Sequence, residues 1–246
     1  MTFKEGDYVL VLYKDKRYIR KLVKNMSLSV KGNVVKFQDI IGRQEGEKVG
    51  EFSLLRPTLE DIILFGFKRK TQIVYPKDSF YIAFKLDIYK DDKVLEFGIG
   101  SGAMTSVLSK LAGEIYAYEV SESFYRNAME NWERFGLCRN VKAFNVDFQE
   151  ANVEEEFFDA CVVDVKEPWR YLDKVWGSLK RGRVCGFLLP TTNQVSKLLS
   201  HMEPLFTSIE VLEILLRHYK TNPERLRPQD QMIAHTAYVV FGRKRI

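Results

Sequence analysis

The chain has 246 residues, 46% of them hydrophobic, and a formal charge of +5. That is apolar material for one large domain, or a large and a small one. No run of about 18 apolar residues occurs, which argues against a helical membrane span. The start, MTFKEGDYVL, lacks the apolar centre of a signal peptide, so a cytoplasmic setting is expected. Cys138, Cys161 and Cys185 are scattered, with no CxxC pair and no His/Cys cluster. Cys161 and Cys185, inside apolar strand-like runs, read as plain core thiols, and the pattern predicts no structural metal.

In chain order, residues 1 to 55 read as β. DYVLVLY, YIRKLV, SLSVKGNVVKF and EKVGEFSLL are short runs punctuated by glycine and charged turns. They predict a small barrel or sandwich. Within them, YKDKRYIRKLVK carries Lys16, Arg17, Arg20 and Lys21 among its basic residues, against one acid, Asp15. Such a run is a solvated face or a polyanion contact, and charge alone does not decide between them. Residues 56 to 89 read as a linking helix, capped by Thr58, and a lead-in segment.

From residue 90 to 246 strand-like runs alternate with helix-length amphipathic stretches. KVLEFGI, EIYAYEV, VKAFNVD, FDACVVD and VCGFLLP are followed by SIEVLEILL and TAYVVFGRK, which have only a polar stretch between them. Alternating βα units predict a parallel sheet covered on both faces. The last two strands are expected to pair antiparallel across a long loop. The whole is the seven-stranded, Rossmann-like α/β sheet of a class I methyltransferase, with a small N-terminal β domain.

VLEFGIGSGAMTSVLSKL is a strand, a glycine turn and a helix. Gly98, Gly100 and Gly102 let backbone pass close to a ligand, and the helix start offers free N–H groups. Ser101, Met104 and Thr105 complete the candidate contacts. The spacing fits a dinucleotide fingerprint and also the acid-x-G-x-G-x-G pattern of S-adenosylmethionine enzymes, with Glu96 as the acid. Four acids at or near strand ends, Glu96, Glu119, Asp147 and Asp164, fit S-adenosylmethionine better than NAD. Glu119 is the candidate for the ribose, Asp147 for the adenine amino group and Asp164 for the reacting end of the cofactor, where it doubles as the candidate catalytic carboxylate.

RKTQIVYPKDSFYIAFKLDI, VLEFGIGSGAMT, DVKEPW, LLPTTNQV and RPQDQMIAHTAYVVFGRK, in this order, resemble the tRNA (adenine-58-N1)-methyltransferase family over most of the chain. The family string D-L-P-x-P-W is here Asp164-Val165-Lys166-Glu167-Pro168-Trp169, with the acid and the Pro-Trp pair kept and the first proline absent. The resemblance implies methylation of N1 of adenosine 58 in the tRNA T-loop from S-adenosylmethionine, by a homotetramer. Some archaeal members also act at position 57. It implies that the lead-in covers the cofactor, with Gln72 a candidate contact; Tyr75 and Gln72 are candidates to line the base pocket, and Tyr75 is equally a candidate core residue. Trp169 is a candidate to pack or to stack on substrate, Lys16, Arg17, Arg20 and Lys21 are candidates to grip tRNA, and His235 reads as structural or RNA-contacting, without a metal role. Two other readings remain: a methyltransferase acting on protein or a small molecule, and a catalytically silent tRNA-binding subunit.

Overall fold

Lys31 and Gly32 both take positive φ, 48° and 83°. That is what a two-residue turn needs if its twist is to match the strands it joins. In the computed structural model, which describes residues 1–245, this turn joins β3 (Ser27–Val30) to β4 (Asn33–Lys36), after β1 (Tyr8–Tyr13) and β2 (Lys16–Lys21). A single helical turn α1 (Phe37–Ile40), then β5 (Lys48–Val49) and β6 (Phe52–Leu55), complete the β region. The strands form an open antiparallel sheet of order β2-β1-β6-β5 and a separate β3–β4 hairpin. Val9, Val11, Leu28, Val35, Phe37 and Leu54 are among the buried side chains of their common core. Thr58 caps α2 (Leu59–Asp61) with a reciprocal box, its hydroxyl accepting from the Asp61 amide while the Asp61 carboxylate accepts from the Thr58 amide. The helix runs on as a wider π-type turn, Ile62–Gly66. Chain contacts divide the molecule after Lys68, so the capped helix belongs to the N-terminal unit and the lead-in from Arg69 to the second.

The second unit opens with α3 (Pro76–Lys85), whose proline sits at the first helical position, where its missing N–H costs nothing. Then β7 (Lys93–Phe97), α4 (Ala103–Leu108), β8 (Glu114–Tyr118), α5 (Glu122–Phe135), β9 (Val141–Phe144) and β10 (Ala160–Val163) alternate. They are followed by α6 (Leu172–Ser178), β11 (Val184–Leu189), α7 (Thr192–Met202) and β12 (Phe206–Leu212). After the two-residue pair β13 (Tyr219–Lys220) and β14 (Arg227–Pro228), the chain returns as β15 (Tyr238–Lys244).

The sheet has seven strands in the order β12-β15-β11-β10-β7-β8-β9. β9 through β11 run parallel, and β15 is antiparallel to both β11 and β12. Every residue of β10 and β11 is buried, as central parallel strands require. The order reverses between β7 and β10: from β7 the chain moves to β8 and β9 on one side, then to β10 and β11 on the other. A crevice must open at the carboxyl ends of those two strands. Among the described residues, no helix is long and apolar enough to cross a membrane.

Candidate active site

A cleft of about 430 Å³ opens at that switch point. Its walls include Gln72, Tyr75, Gly98, Gly100, Ser101, Met104, Glu119 and Asp164, so the structure brings together that part of the expected site. A second lobe of about 220 Å³ shares Gly98, Glu119, Val120, Val165 and Lys166 with it and adds Asp147.

The glycine loop is shaped by what presses on it. Gly98, Gly100 and Gly102 all take positive φ, 91°, 56° and 81°. A Cβ at Gly98 would sit 2.0 Å from the Asp164 carbonyl oxygen, and one at Gly102 would sit 2.4 Å from Trp132 Nε1. The loop is held from below by α5: Trp132 Nε1 donates to the Gly102 carbonyl (3.1 Å) and Asn131 Nδ2 to the Ser101 carbonyl (3.0 Å). Glu119, just past β8, accepts from the Gly100 amide at 3.0 Å and from the Ser121 amide at 2.9 Å. Its carboxylate therefore orders the loop as well as facing the cleft.

Three expected contacts lie off the cleft wall. Glu96 is 1% exposed on β7, and Gly102 and Thr105 are buried behind the wall. Glu96 Oε2 has no hydrogen-bond partner. Burial, reinforced by the charges of Asp164 and Glu119, pushes its carboxyl up to about 8. Asp147 is not at a strand end: β9 stops at Phe144, and Asp147 caps the turn that follows. It accepts from the Gln149 amide at 2.9 Å and from the Tyr171 hydroxyl at 3.2 Å.

Asp164 follows the last residue of β10, with its amide bonded to the Phe97 carbonyl of β7 at 3.0 Å. Its side chain is exposed to the cleft rather than buried in the core. The protein walls crowded around the carboxylate, with the Glu119 charge added, raise its carboxyl to about 7. The loop beyond it keeps a fixed path without the first proline. Gln194 of α7 donates to the Lys166 carbonyl at 2.9 Å, and its own Oε1 accepts from Thr191 at 2.7 Å. Trp169 packs against the core with the Lys197 ammonium 4.3 Å from its ring centroid, and it does not line the cleft.

Other wall residues were not singled out from the sequence. Asp78 and Thr236 line the cleft and close a buried network: Lys77 Nζ donates to Asp78 (2.7 Å), to Thr236 Oγ1 (2.6 Å) and to the Ile214 carbonyl (2.6 Å). Thr236 in turn donates to the other Asp78 oxygen at 2.7 Å. The lead-in helix is thereby tied to the segments that follow β12 and precede β15. Both Asp78 and Thr236 fall inside the sequence blocks that carry the family resemblance.

The glycine loop fits a nucleoside cofactor. Two of its positions have no room for a Cβ, backbone is exposed to the cleft, and the nearby carboxylates suit a ligand that carries positive charge and ribose hydroxyls. The fold and this site define a class I methyltransferase. Residues 52–240 match the tRNA methyltransferase complex GCD14 subunit family, to which the chain belongs. It is 33% identical to the tRNA (adenine(58)-N(1))-methyltransferase TrmI of Thermus thermophilus, over 79% of this chain and 77% of that one. It is 29% identical to the tRNA (adenine(57)-N(1)/adenine(58)-N(1))-methyltransferase TrmI of Methanocaldococcus jannaschii, over 96% and 94%. Among solved structures, the tRNA (m1A58) methyltransferase TrmI of Aquifex aeolicus superposes with a TM-score of 0.97 at 58% identity, covering 100% of both chains. A Thermotoga maritima protein described as a SAM-dependent O-methyltransferase superposes at 0.93 with 40% identity, over 99% and 94%.

Proposed function

We infer that the protein methylates N1 of adenosine 58 in the T-loop of tRNA, with S-adenosylmethionine as donor. The observation that carries the reading is Asp164 at the tip of β10, on the wall of the same cleft as the glycine loop and the lead-in residues Gln72 and Tyr75. Bound there, the cofactor supplies an electrophilic methyl group on a sulfonium. Glu119 is suited to hold the ribose, Asp147 to meet the adenine edge, and the Gly98–Gly102 backbone to lie along the methionine portion.

Adenine N1 has its own lone pair, so no base need remove a proton before attack. What the protein must supply is alignment and a counter-charge. Asp164 accepts a hydrogen bond from the exocyclic N6 group, pushes electron density toward N1, and offsets the cation that methylation leaves on the ring. Only the ionised carboxylate does this. The target base must leave its stack to enter the cleft, where the Tyr75 ring, linked to Gln72 by a 3.1 Å hydrogen bond, is positioned to receive it.

The family resemblance also implies a homotetramer. Phe80 and Phe84 on α3 and Leu215 and Leu216 beyond β12 are exposed apolar side chains that such an assembly would cover. Sedimentation velocity measures the mass directly. The function itself is tested by incubating the protein with labelled S-adenosylmethionine and unmodified tRNA and mapping the product by mass spectrometry. 1-Methyladenosine at position 58 is expected. Methylation of a ribose or other oxygen, or of protein alone, would overturn the reading.

A further inference from the structure

His235 does not line the cleft, but its neighbours Thr236 and Ala237 do. Both of its ring nitrogens face acceptors that have no proton to give. Nδ1 lies 2.6 Å from Glu213 Oε1, and Nε2 lies 3.0 Å from the Pro190 carbonyl oxygen. A neutral imidazole carries one N–H and can serve one of these, whereas the imidazolium serves both. The ring also lies against Tyr238 of β15, with centroids 4.6 Å apart.

The charges around it come from three sides. Glu213, on the segment after β12, hydrogen-bonds to the ring and is the largest cause of a pKa raised above 6.5; the Pro190 carbonyl beyond β11 adds to it. Lys77 of α3 opposes them, with its ammonium already shared between Asp78 and Thr236. A pair as exposed as Glu213 and His235, 38% and 41%, is by itself worth little. The second bond changes the case, because its acceptor is main chain. Pro190 ends the wall Leu188–Leu189–Pro190 of the cleft, so a proton on His235 ties down backbone that lines the cleft.

We propose that His235, held as the imidazolium between Glu213 and the Pro190 carbonyl, is a positioning residue that fixes this rim of the cleft for the target base and releases it on losing its proton. The inference rests on the tRNA-methylating reading for its kinetic consequence, but not for the clamp itself.

Two measurements on the intact protein test it. Long-range ¹H–¹⁵N spectra of histidine-labelled wild type, Glu213→Gln and His235→Gln follow the imidazoles through pH. The resonance that His235→Gln removes is expected to show both nitrogens protonated on the acid side of a midpoint that lies above the ordinary value of about 6.5. Glu213→Gln is expected to lower that midpoint. Single-turnover methylation at saturating cofactor is then followed against pH. Wild type loses rate on the alkaline side as His235 deprotonates, Glu213→Gln loses it at lower pH, and His235→Gln is slower by about tenfold with no alkaline limb of this origin. Cofactor affinity stays unchanged in both variants. An ordinary His235 midpoint, a midpoint indifferent to Glu213→Gln, or an alkaline limb that survives in His235→Gln overturns the proposal. Wild type that methylates no tRNA overturns the functional reading instead, while the spectra still decide the clamp.

Discussion

Gly98 and Asp164 constrain each other. The Asp164 carbonyl occupies the space where a side chain at 98 would begin, so the glycine loop and the strand end that carries the carboxylate are packed directly against each other. Asp164→Asn preserves shape and a carbonyl oxygen but removes the charge. Its single-turnover methylation rate is expected to fall by at least ~10²-fold, with tRNA affinity little changed. The wild-type rate should rise with pH as a carboxyl near 7 ionises, and that limb should vanish in the variant. An acidic limb that persists in Asp164→Asn would assign it to another group. Glu96 makes a different prediction. Its folded pKa, about 8, lies above its unfolded value near 4.5. This group's contribution to stability is therefore fully present below about 4.5, declines as pH rises, and is lost beyond about 8. Glu96→Gln should stabilise the protein by up to about 3 kcal/mol at pH 7, with little gain at acid pH. Thermal melts from acid to mildly alkaline pH check this; a gap that does not widen with pH would show that the carboxyl is not held neutral by the fold.

At the scale of elements, the βα alternation, the reversed last hairpin and the Thr58 cap were all legible, because each rests on local periodicity or a capping pattern. The loop's supports were not. Trp132 and Asn131 read as an ordinary amphipathic helix, and only the packing of α5 beneath Gly102 reveals them as braces. Asp147 was placed at a strand end because VKAFNVD is continuous in β character, whereas its carboxylate closes a turn with the Gln149 amide. Glu96 was read as a contact from its place in a motif, and no sequence pattern distinguishes a carboxyl on a wall from one beneath it. Glu119 shows how the elements are joined: one carboxylate bonds the glycine loop and the start of the β8–α5 turn. Glu119→Ala is expected to weaken cofactor binding by roughly 1.5–3 kcal/mol. Calorimetry checks it, and unaltered binding would remove Glu119 from the site. Gly102→Ala should weaken it too, since the new Cβ would meet the Trp132 ring.

For the molecule as a whole, the +5 charge matters less than where it lies. Lys16, Arg17, Arg20 and Lys21 are exposed on β2, an edge of the N-terminal sheet. Charge on an edge strand has a plain use, since it blocks pairing with another chain. A grip on tRNA is a second use of the same residues, and the structure separates one of them. Arg17 is bonded to Asp61 at 3.1 Å, the carboxylate that also closes the Thr58 capping box, so replacing it would remove the cation beside a largely buried carboxylate as well as a surface charge. The informative variant therefore neutralises Lys16, Arg20 and Lys21 and leaves Arg17 in place. If each contacts a phosphate, tRNA binding weakens, and the slope of log affinity against log salt shrinks by about 2 in magnitude for the three lost contacts. Cofactor affinity and thermal stability should not move. Filter binding across a salt series reads the slope directly. A weaker complex with an unchanged slope would mean that the substitutions altered the unit rather than removed phosphate contacts. An unchanged complex would leave these residues the work of protecting an edge.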